Sequence, residues 1–206
     1  MQQKGMVWVI GASGGLGRAT AQAFAQNGWS VIAGARSFAA GTSPLGEGVT
    51  VLPLDVTSEE SCTAFVKKAL GMESRVDVLV CAAAQLVLGS CENTTVDELD
   101  KLLNVNVLGT VRMIQRALPL MRRQKSGKII LFSSINGLLG IPFQSAYTAS
   151  KHALEGYAEC LAMETADFGI QVCLVEPGDH RGGSSHTLLP ASLNRKILCS
   201  YYRAHL

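Results

Sequence analysis

The residues best suited to chemistry are Tyr147 and Lys151, which lie four positions apart at the start of a predicted helix and share one of its faces. A free tyrosine has a pKa of about 10 and exchanges protons poorly at neutral pH. A lysine cation held nearby favours the phenolate, so we expect Lys151 to lower the pKa of Tyr147 toward the range that suits general acid–base catalysis. Ser134 ends the preceding strand and is placed to hold a substrate oxygen against the tyrosine hydroxyl.

A second chemically meaningful motif is the glycine-rich turn at residues 11–17, with the spacing G-x-x-x-G-x-G. It lies between a short apolar run at residues 6–10 and an Ala-rich helical pattern that starts at Arg18. Glycine permits a tight turn and close approach of the backbone, and a helix N-terminus offers unpaired N–H groups to a pyrophosphate. The turn therefore predicts a dinucleotide site.

The end of the second predicted strand indicates which dinucleotide is preferred. An NAD-selective site places an acidic residue there to bind the ribose hydroxyls. Here Ala35 and Arg36 occupy that place. Arginine can stack on adenine and neutralise a 2′-phosphate, which favours NADP(H) over NAD(H); an ordinary strand-end arginine is the alternative. Asp55, at the end of the third strand, is placed to accept a hydrogen bond from the adenine amine.

The elements that must position these residues alternate between strand and helix, which predicts an α/β fold. We expect a single domain over residues 1–206, with a Rossmann-type, doubly wound parallel sheet of about six strands and helices on both faces. The strand-like runs cover residues 6–10, 30–36, 50–56, 75–84, 128–132 and 170–176. A long helical pattern at 96–123 contains Asn104 and Asn106. Asparagine competes for backbone hydrogen bonds, which predicts a local kink; a solvent-facing asparagine is the alternative.

Composition argues against several other classes. The net charge is only +2, so no nucleic-acid partner is predicted, and no segment approaches the length of a membrane span. The six cysteines are scattered without a CxxC pair, which is typical of reduced thiols rather than of a disulfide framework or a zinc site. His180 and His186 lack an evident third ligand, so no metal is predicted. We expect a soluble, cytoplasmic protein.

Together these motifs resemble the short-chain dehydrogenase/reductase family over roughly residues 1–178. They occur in the family's order and spacing, including Ser134 thirteen positions before Tyr147. The matching residues are the Gly11/Gly15/Gly17 turn, Asp55-Val56, Asn106-Val107-Leu108-Gly109, Ser134, Tyr147 with Lys151, and Pro177-Gly178. Within the family, residues 134–156 are most similar to hydroxysteroid and retinol dehydrogenases.

The resemblance implies a role for each residue. Tyr147 would exchange a proton with the substrate oxygen as hydride passes to or from nicotinamide, Lys151 would also bind the nicotinamide ribose, and Ser134 would hold the substrate carbonyl. Asn106 would anchor a water that continues the proton path. The residues assigned to the cofactor are Gly11, Ser13, Gly15, Leu16, Gly17, Arg36, Asp55, Val56, Ala82, Tyr147, Lys151, Pro177 and Gly178.

The resemblance also implies an NADP(H)-dependent oxidoreductase that interconverts a carbonyl and a secondary alcohol on a largely apolar small molecule, which is steroid-, retinoid- or acyl-like. By the same analogy we expect a homodimer or homotetramer, formed through the long helices that begin at Val96 and Ser145.

The sequence departs from the family at four places, of which the first is Ile10, where a threonine is usual before the first glycine. Residues 81–84, Cys-Ala-Ala-Ala, replace the usual Asn-Asn-Ala-Gly. The segment 178–206 is atypical and short, and it lacks a threonine after Pro177-Gly178, for which Ser184 or Ser185 is a substitute. A catalytically weak, cofactor-binding scaffold or sensor is therefore the alternative function. Sugar-nucleotide epimerases and dehydratases share Tyr-x-x-x-Lys, but the glycine spacing and the short chain disfavour them.

Overall fold

A six-stranded parallel sheet forms the centre of the computed structural model, which describes residues 4–36, 45–179 and 188–190. In chain order the strands are β1 (Met6–Ile10), β2 (Ser30–Ala35), β3 (Val49–Pro53), β4 (Val78–Cys81), β5 (Leu86–Leu88), β6 (Gly127–Phe132), β7 (Ile170–Val175) and β8 (Leu188–Pro190). The sheet order is β3-β2-β1-β4-β6-β7, while β5 and β8 form a separate parallel pair. This order reverses direction between β1 and β4, as in a doubly wound dinucleotide-binding fold, so the predicted fold class is confirmed.

Helices cover both faces of this sheet. They are α1 (Gly15–Gln26), α2 (Glu59–Met72), α3 (Val96–Leu103), α4 (Gly109–Gln124) and α5 (Ser145–Thr165). Side chains alternate along β1: Trp8 packs on one face with Phe65 of α2 and Met113 of α4, and Val9 packs on the other with Ala21 of α1. Because both faces are buried, the central strands are almost continuously apolar, which is why sequence pattern located them.

The predicted kink in the long helical pattern is present as one π-helical turn, Asn104–Leu108, between α3 and α4. Asn106 is fully buried within this turn, so the alternative of a solvent-facing asparagine is wrong for it. Other bounds differ from expectation: β3 ends at Pro53 and β4 is only four residues long. The pair formed by β5 and β8 was not predicted.

The candidate site residues meet because parallel strands end at one edge of the sheet. Ile10 is in register with Cys81, and Cys81 is in register with Leu131. The segments that follow β1, β4 and β6 therefore start at the same level, beside one another. Within the described residues, no helix is both long enough and apolar enough to cross a membrane.

Candidate active site

The turn after β1 packs too closely for a side chain at two of its glycines. Gly11 has a φ of +87°, and a Cβ there would lie 2.4 Å from the backbone nitrogen of Ala83. A Cβ on Gly17 would lie 2.3 Å from the carbonyl oxygen of Gly11. The turn, the first turn of α1 and the segment after β4 can approach each other only because these two residues are glycine.

The N-terminus of α1 carries no side-chain cap. Its N-cap residue, Gly14, is extended and makes no side-chain hydrogen bond, and the first turn of α1 contains no acidic residue. Ser13, Gly14 and Gly15 are exposed, and Leu16 is half-buried. Unpaired backbone N–H groups at the positive end of a helix dipole fit a phosphate group, so the predicted turn residues form a suitable cradle for a pyrophosphate.

Arg36 and Asp55 lie near each other at the ends of β2 and β3. Burial raises the pKa of Asp55, but hydrogen bonds from Thr57 and the nearby cations Arg36 and Arg112 outweigh it, so the pKa is lower than usual. Asp55 Oδ1 accepts the Thr57 N–H at 2.9 Å and the Thr57 hydroxyl at 2.7 Å. Asp55 is therefore an anion at neutral pH, and the predicted adenine contact would use its other oxygen, Oδ2.

The Val56 side chain is not free to meet a cofactor. It belongs to the core, and a Cβ on Gly109 of α4 would lie 2.6 Å from its Cγ2 atom. Its carbonyl oxygen accepts a hydrogen bond from Arg112 Nη1 at 3.1 Å. The predicted cofactor contact of Val56 would therefore use main-chain atoms.

Pro177 and Gly178 follow β7 beside the segment that follows β6. The carbonyl oxygen of Pro177 accepts a hydrogen bond from the Ile135 N–H at 3.2 Å. This bond ties Pro177 to the residue after Ser134. Ser184, Ser185, His180 and His186 lie outside the described residues.

Ser134 and Tyr147 lie together after the carboxyl end of β6. Burial raises the pKa of Tyr147, and a hydrogen bond with the Ser134 side chain only partly offsets that rise. The pKa of Tyr147 therefore lies above its ordinary value of 10.0, and the expected lowering is wrong. The sequence spacing placed a lysine one turn away but did not reveal how far the ring is buried, and burial disfavours the phenolate.

Lys151 lies on the same face of α5 as Tyr147, as expected, and its side chain is buried. Its Nζ atom donates a hydrogen bond to the carbonyl oxygen of Phe132 at 2.7 Å and lies 5.4 Å from the centre of the Tyr147 ring. Burial lowers the pKa of Lys151 to about 8, although the Glu155 carboxylate opposes this change. The ammonium form still predominates at neutral pH.

The fold and these motifs agree with a family model described as short chain dehydrogenase, which matches residues 5–188. The chain belongs to the short-chain dehydrogenase/reductase family.

Individual relatives agree with this assignment. A 3-ketodihydrosphingosine reductase of Bacteroides thetaiotaomicron is 40% identical over 181 residues, which are 88% of this chain and 66% of that protein. Human 17-beta-hydroxysteroid dehydrogenase type 1 is 45% identical over 127 residues, which are 62% of this chain and 38% of that protein. The chain thus spans no more than 66% of the length of these curated relatives.

A solved structure of this fold has a dinucleotide bound. The structure of ElxO with NADP bound is 32% identical to the chain, with a TM-score of 0.79. The match covers 86% of this chain and 74% of that one.

The short-chain dehydrogenase/reductase pattern is altered at the end of β4, where residues 81–84 lack asparagine. Burial raises the pKa of the Cys81 thiol to about 12, so this cysteine is an inert core residue. Ala82 donates its N–H to the carbonyl oxygen of Ile10 at 2.8 Å, and its methyl group would lie 3.2 Å from a Cβ on Gly17. Ala82 therefore packs against the glycine turn, next to the predicted cofactor residues.

Asn106 connects three parts of the fold. Its Oδ1 atom accepts the Gln85 N–H at 2.8 Å, and its Nδ2 atom donates to the Gln85 carbonyl oxygen at 2.9 Å and to the Ser150 hydroxyl at 3.0 Å. Both amide hydrogens are used by the protein, so a water anchored by Asn106 must bind at an oxygen atom. Asn106 therefore contacts α5 at Ser150, the residue that directly precedes Lys151.

One polar residue beside the site was not predicted. Asn136 is buried two residues after Ser134 and hydrogen-bonds with its side chain. The signal in the sequence was weak: a single asparagine within an otherwise apolar and glycine-rich segment. Only the structure shows which hydroxyl groups it contacts.

Two further observations concern the surroundings of this site. An open, mostly apolar depression of about 540 Å³ is lined by residues of α5 and of the segment before it, but by neither Tyr147 nor Lys151. Across residues 4–36 and 45–179, no cluster of three or more histidine, cysteine or acidic side chains could hold a metal ion.

Proposed function

We propose that this chain is an NADP(H)-dependent oxidoreductase that interconverts a carbonyl and a secondary alcohol on a largely apolar small molecule. The observation that carries the proposal is the meeting of Ser134, Tyr147 and Lys151 at the sheet edge that also bears the uncapped glycine turn of α1. A phosphate cradle beside a proton-exchanging tyrosine suits a reaction in which a dinucleotide supplies or takes hydride.

In the proposed mechanism the side chains handle the proton and the orientation of the substrate. Tyr147 gives its hydroxyl proton to the substrate oxygen during reduction and takes it back during oxidation. The Lys151 ammonium, 5.4 Å from the ring centre, stabilises the negative charge that develops on the phenol oxygen. Ser134 holds the same substrate oxygen, and Asn106 anchors the water through which the proton is replaced.

An apolar substrate is supported by the surface next to Ser134. Ile135, Leu138 and Leu139 are 40%, 63% and 45% exposed, so this segment presents aliphatic side chains beside the reacting groups. The names of two relatives, a 3-ketodihydrosphingosine reductase and a hydroxysteroid dehydrogenase, point to the same class of substrate.

The preference for NADP(H) rests on Arg36, an exposed cation at the end of β2. A titration of the protein with NADPH and, in parallel, with NADH, followed by nicotinamide fluorescence, tests it. We expect tighter binding of NADPH, and the difference should largely disappear in Arg36→Ser but persist in Arg123→Ser, which removes an exposed arginine at the end of α4. Equal binding of both dinucleotides by the wild-type protein would contradict the preference.

The role of Tyr147 is tested by Tyr147→Phe with a panel of apolar ketones and NADPH. We expect turnover to be abolished and NADPH affinity to remain nearly unchanged, because only the hydroxyl group is removed. Retained turnover would exclude this mechanism.

A catalytically weak, cofactor-binding scaffold is the second candidate, and the raised pKa of Tyr147 favours it. This function predicts tight NADPH binding, no turnover of any ketone in the panel and no measurable consequence of Tyr147→Phe. The same two experiments therefore distinguish the two candidates.

A further inference from the structure

Asn136 lies at the centre of a buried polar network beside the proposed reacting groups. It is only 4% exposed, in the short 3₁₀ turn Ile135–Gly137 that follows Ser134. The Ser134 hydroxyl donates to Asn136 Oδ1 at 3.2 Å, and the Asn136 N–H donates to Ser134 Oγ at 3.3 Å. Asn136 Nδ2 donates to Gln144 Oε1 at 3.2 Å and to Thr148 Oγ1 at 3.0 Å. Every polar side-chain atom of Asn136 is thus engaged.

These bonds determine the role of the Ser134 hydroxyl. A serine hydroxyl has one hydrogen to donate and two lone pairs that accept. In the structure its hydrogen is directed to Asn136 Oδ1 and one lone pair takes the Asn136 N–H. The Ser134 side chain also hydrogen-bonds with Tyr147. To donate to a substrate carbonyl, the Ser134 hydrogen must turn away from Asn136 Oδ1, while the Asn136 N–H still holds the serine oxygen in place.

The same side chain joins the end of β6 to the start of α5. Thr148 directly follows Tyr147, and Gln144 is the N-cap residue of α5. The Nδ2 group of Asn136 therefore holds the helix turn that carries the tyrosine, while Oδ1 holds the serine. One buried amide sets the separation of the two hydroxyl groups that meet the substrate oxygen.

We propose that Asn136 is a positioning residue that orients the Ser134 hydroxyl and fixes its place relative to Tyr147. The proposal rests on the function proposed above, because it assigns to Asn136 the alignment of the groups that act on the carbonyl. Asn136 itself does not touch the substrate. Its removal should impair the chemical step and leave the distant dinucleotide cradle intact.

The test compares Asn136→Ala, Ser134→Ala and the double variant, using NADPH and phenanthrenequinone, a flat apolar diketone. We expect Asn136→Ala to lower kcat roughly tenfold to a hundredfold, since misplaced reacting groups cost rates of this order. NADPH affinity should stay within about twofold of wild type. In the Ser134→Ala background, Asn136→Ala should lower kcat by clearly less than it does in the wild-type background, because one of the two groups that it positions is already gone.

Further variants separate this role from a general effect on folding. Thr148→Val keeps Asn136 and its bond to Gln144 but removes its bond to Thr148, and it should lower kcat severalfold with unchanged NADPH affinity. Asn27→Ala removes an exposed asparagine at the C-terminal end of α1 and should leave kcat unchanged. If Asn136→Ala fails to bind NADPH, its fold is damaged, and the kcat of Thr148→Val then tests the positioning role.

The outcomes distinguish failure of this inference from failure of the proposed function. Normal kcat in both Asn136→Ala and Thr148→Val, with an active wild-type protein, overturns the positioning role and leaves the proposed function standing. A full additional loss of kcat in the Ser134→Ala background also overturns it, since a purely structural role would add to the loss of Ser134. A wild-type protein that turns over no carbonyl removes the proposed function and this inference with it.

Discussion

The two polar centres of the molecule are built in opposite ways. The turn after β1 offers backbone N–H donors and has glycines in place of larger residues. Gly14 is the N-cap residue of α1 but provides no side-chain cap, and Gly17 lies against the backbone of Gly11. The segment after β6 consists of buried side chains, with Lys151 bonded to Phe132 and Asn136 bonded to Ser134. Adding atoms should therefore damage the first centre, and removing atoms should damage the second.

The N-terminus of α3 shows how a helix of this protein is capped by its own side chains. The N-terminus of α3 has a complete capping box, in which Thr95 Oγ1 accepts the Glu98 N–H at 3.2 Å and Glu98 Oε2 accepts the Thr95 N–H at 2.8 Å. A helix that needs only stability is closed by its own side chains in this way. By contrast, the N-terminus of α1 has no side-chain cap, as the proposed pyrophosphate site requires.

Among the variants that compare the two centres, the largest effect is expected from Lys151→Met, which removes the cation from the second centre. Turnover should fall roughly 10²- to 10⁴-fold, the usual contribution of acid–base groups.

In the wild-type protein, turnover should also fall as pH rises through about 8, because burial lowers the pKa of Lys151 to about 8 and the ammonium is then lost. A pH–rate profile of the wild-type protein checks this.

The stability of the fold should increase over the pH range in which turnover decreases. The pKa of Lys151 is about 8 in the folded protein and 10.5 ordinarily, so between these values the unfolded chain binds more protons. The free energy of unfolding should therefore rise with pH across that window. Urea titrations at several pH values should show this rise in wild type and in Lys68→Met, which removes an exposed lysine, but not in Lys151→Met. An identical rise in Lys151→Met would contradict the assignment.

The next effect is expected from Gly17→Ala, which adds one methyl group to the first centre. Alanine normally stabilises a helix relative to glycine, but here its Cβ would lie 2.3 Å from a backbone oxygen. We expect the free energy of unfolding to fall by about 1–3 kcal/mol, measured by urea titration. Gly71→Ala, in α2 with no atom within 4 Å of the added Cβ, should be neutral or slightly stabilising. Equal effects of the two substitutions would show that the close approach is absent.

A smaller effect is expected from Gly14→Asp, which supplies the missing cap. The backbone of Gly14 is extended, and a Cβ there meets nothing within 4 Å, so the substitution is sterically permitted. NADPH affinity should fall about tenfold, because a carboxylate would occupy the positive end of α1 in competition with phosphate. Gly14→Asn, which caps without charge, should lose less affinity in the same fluorescence titration. Unchanged affinity in both would place the pyrophosphate elsewhere.

The smallest effect is expected from Thr95→Ala, which opens the capped helix. Loss of the box should lower the free energy of unfolding by about 1 kcal/mol, measured by urea titration. NADPH affinity should not change, since α3 closes its own N-terminus. A parallel loss of NADPH affinity would mean that helix stability, rather than free backbone donors, governs binding.

Sequence predicted well where one local pattern carries the information. The apolar run at residues 6–10 predicted a buried strand, because a parallel strand covered on both faces is apolar throughout. The glycines after it predicted a tight turn, because the backbone segments there approach too closely for a side chain. Asn104 and Asn106 likewise predicted a kink, although not that it would be a π-helical turn. The Thr95–Glu98 box is present in the sequence as Thr-x-x-Glu at the start of an amphipathic helix, but it was not predicted.

Prediction failed where the information is non-local. The strand β5 has three residues, and its partner β8 lies about a hundred residues away, so no local pattern defines the pair. The raised pKa of Tyr147 depends on how deeply the ring is buried, which spacing alone does not show. Asn136 is informative only once Ser134 and Thr148 are seen on either side of it.

The segments beside the site are joined to each other by main-chain atoms. The Gly89 N–H donates to the carbonyl oxygen of Phe143 at 3.0 Å, a parallel bridge links Gly89 to Gln144, and β5 pairs with β8. Main-chain bonds do not depend on side-chain identity. Substitutions along β5 can therefore leave these connections intact, whereas position 143, with a φ of 65°, disfavours β-branched residues.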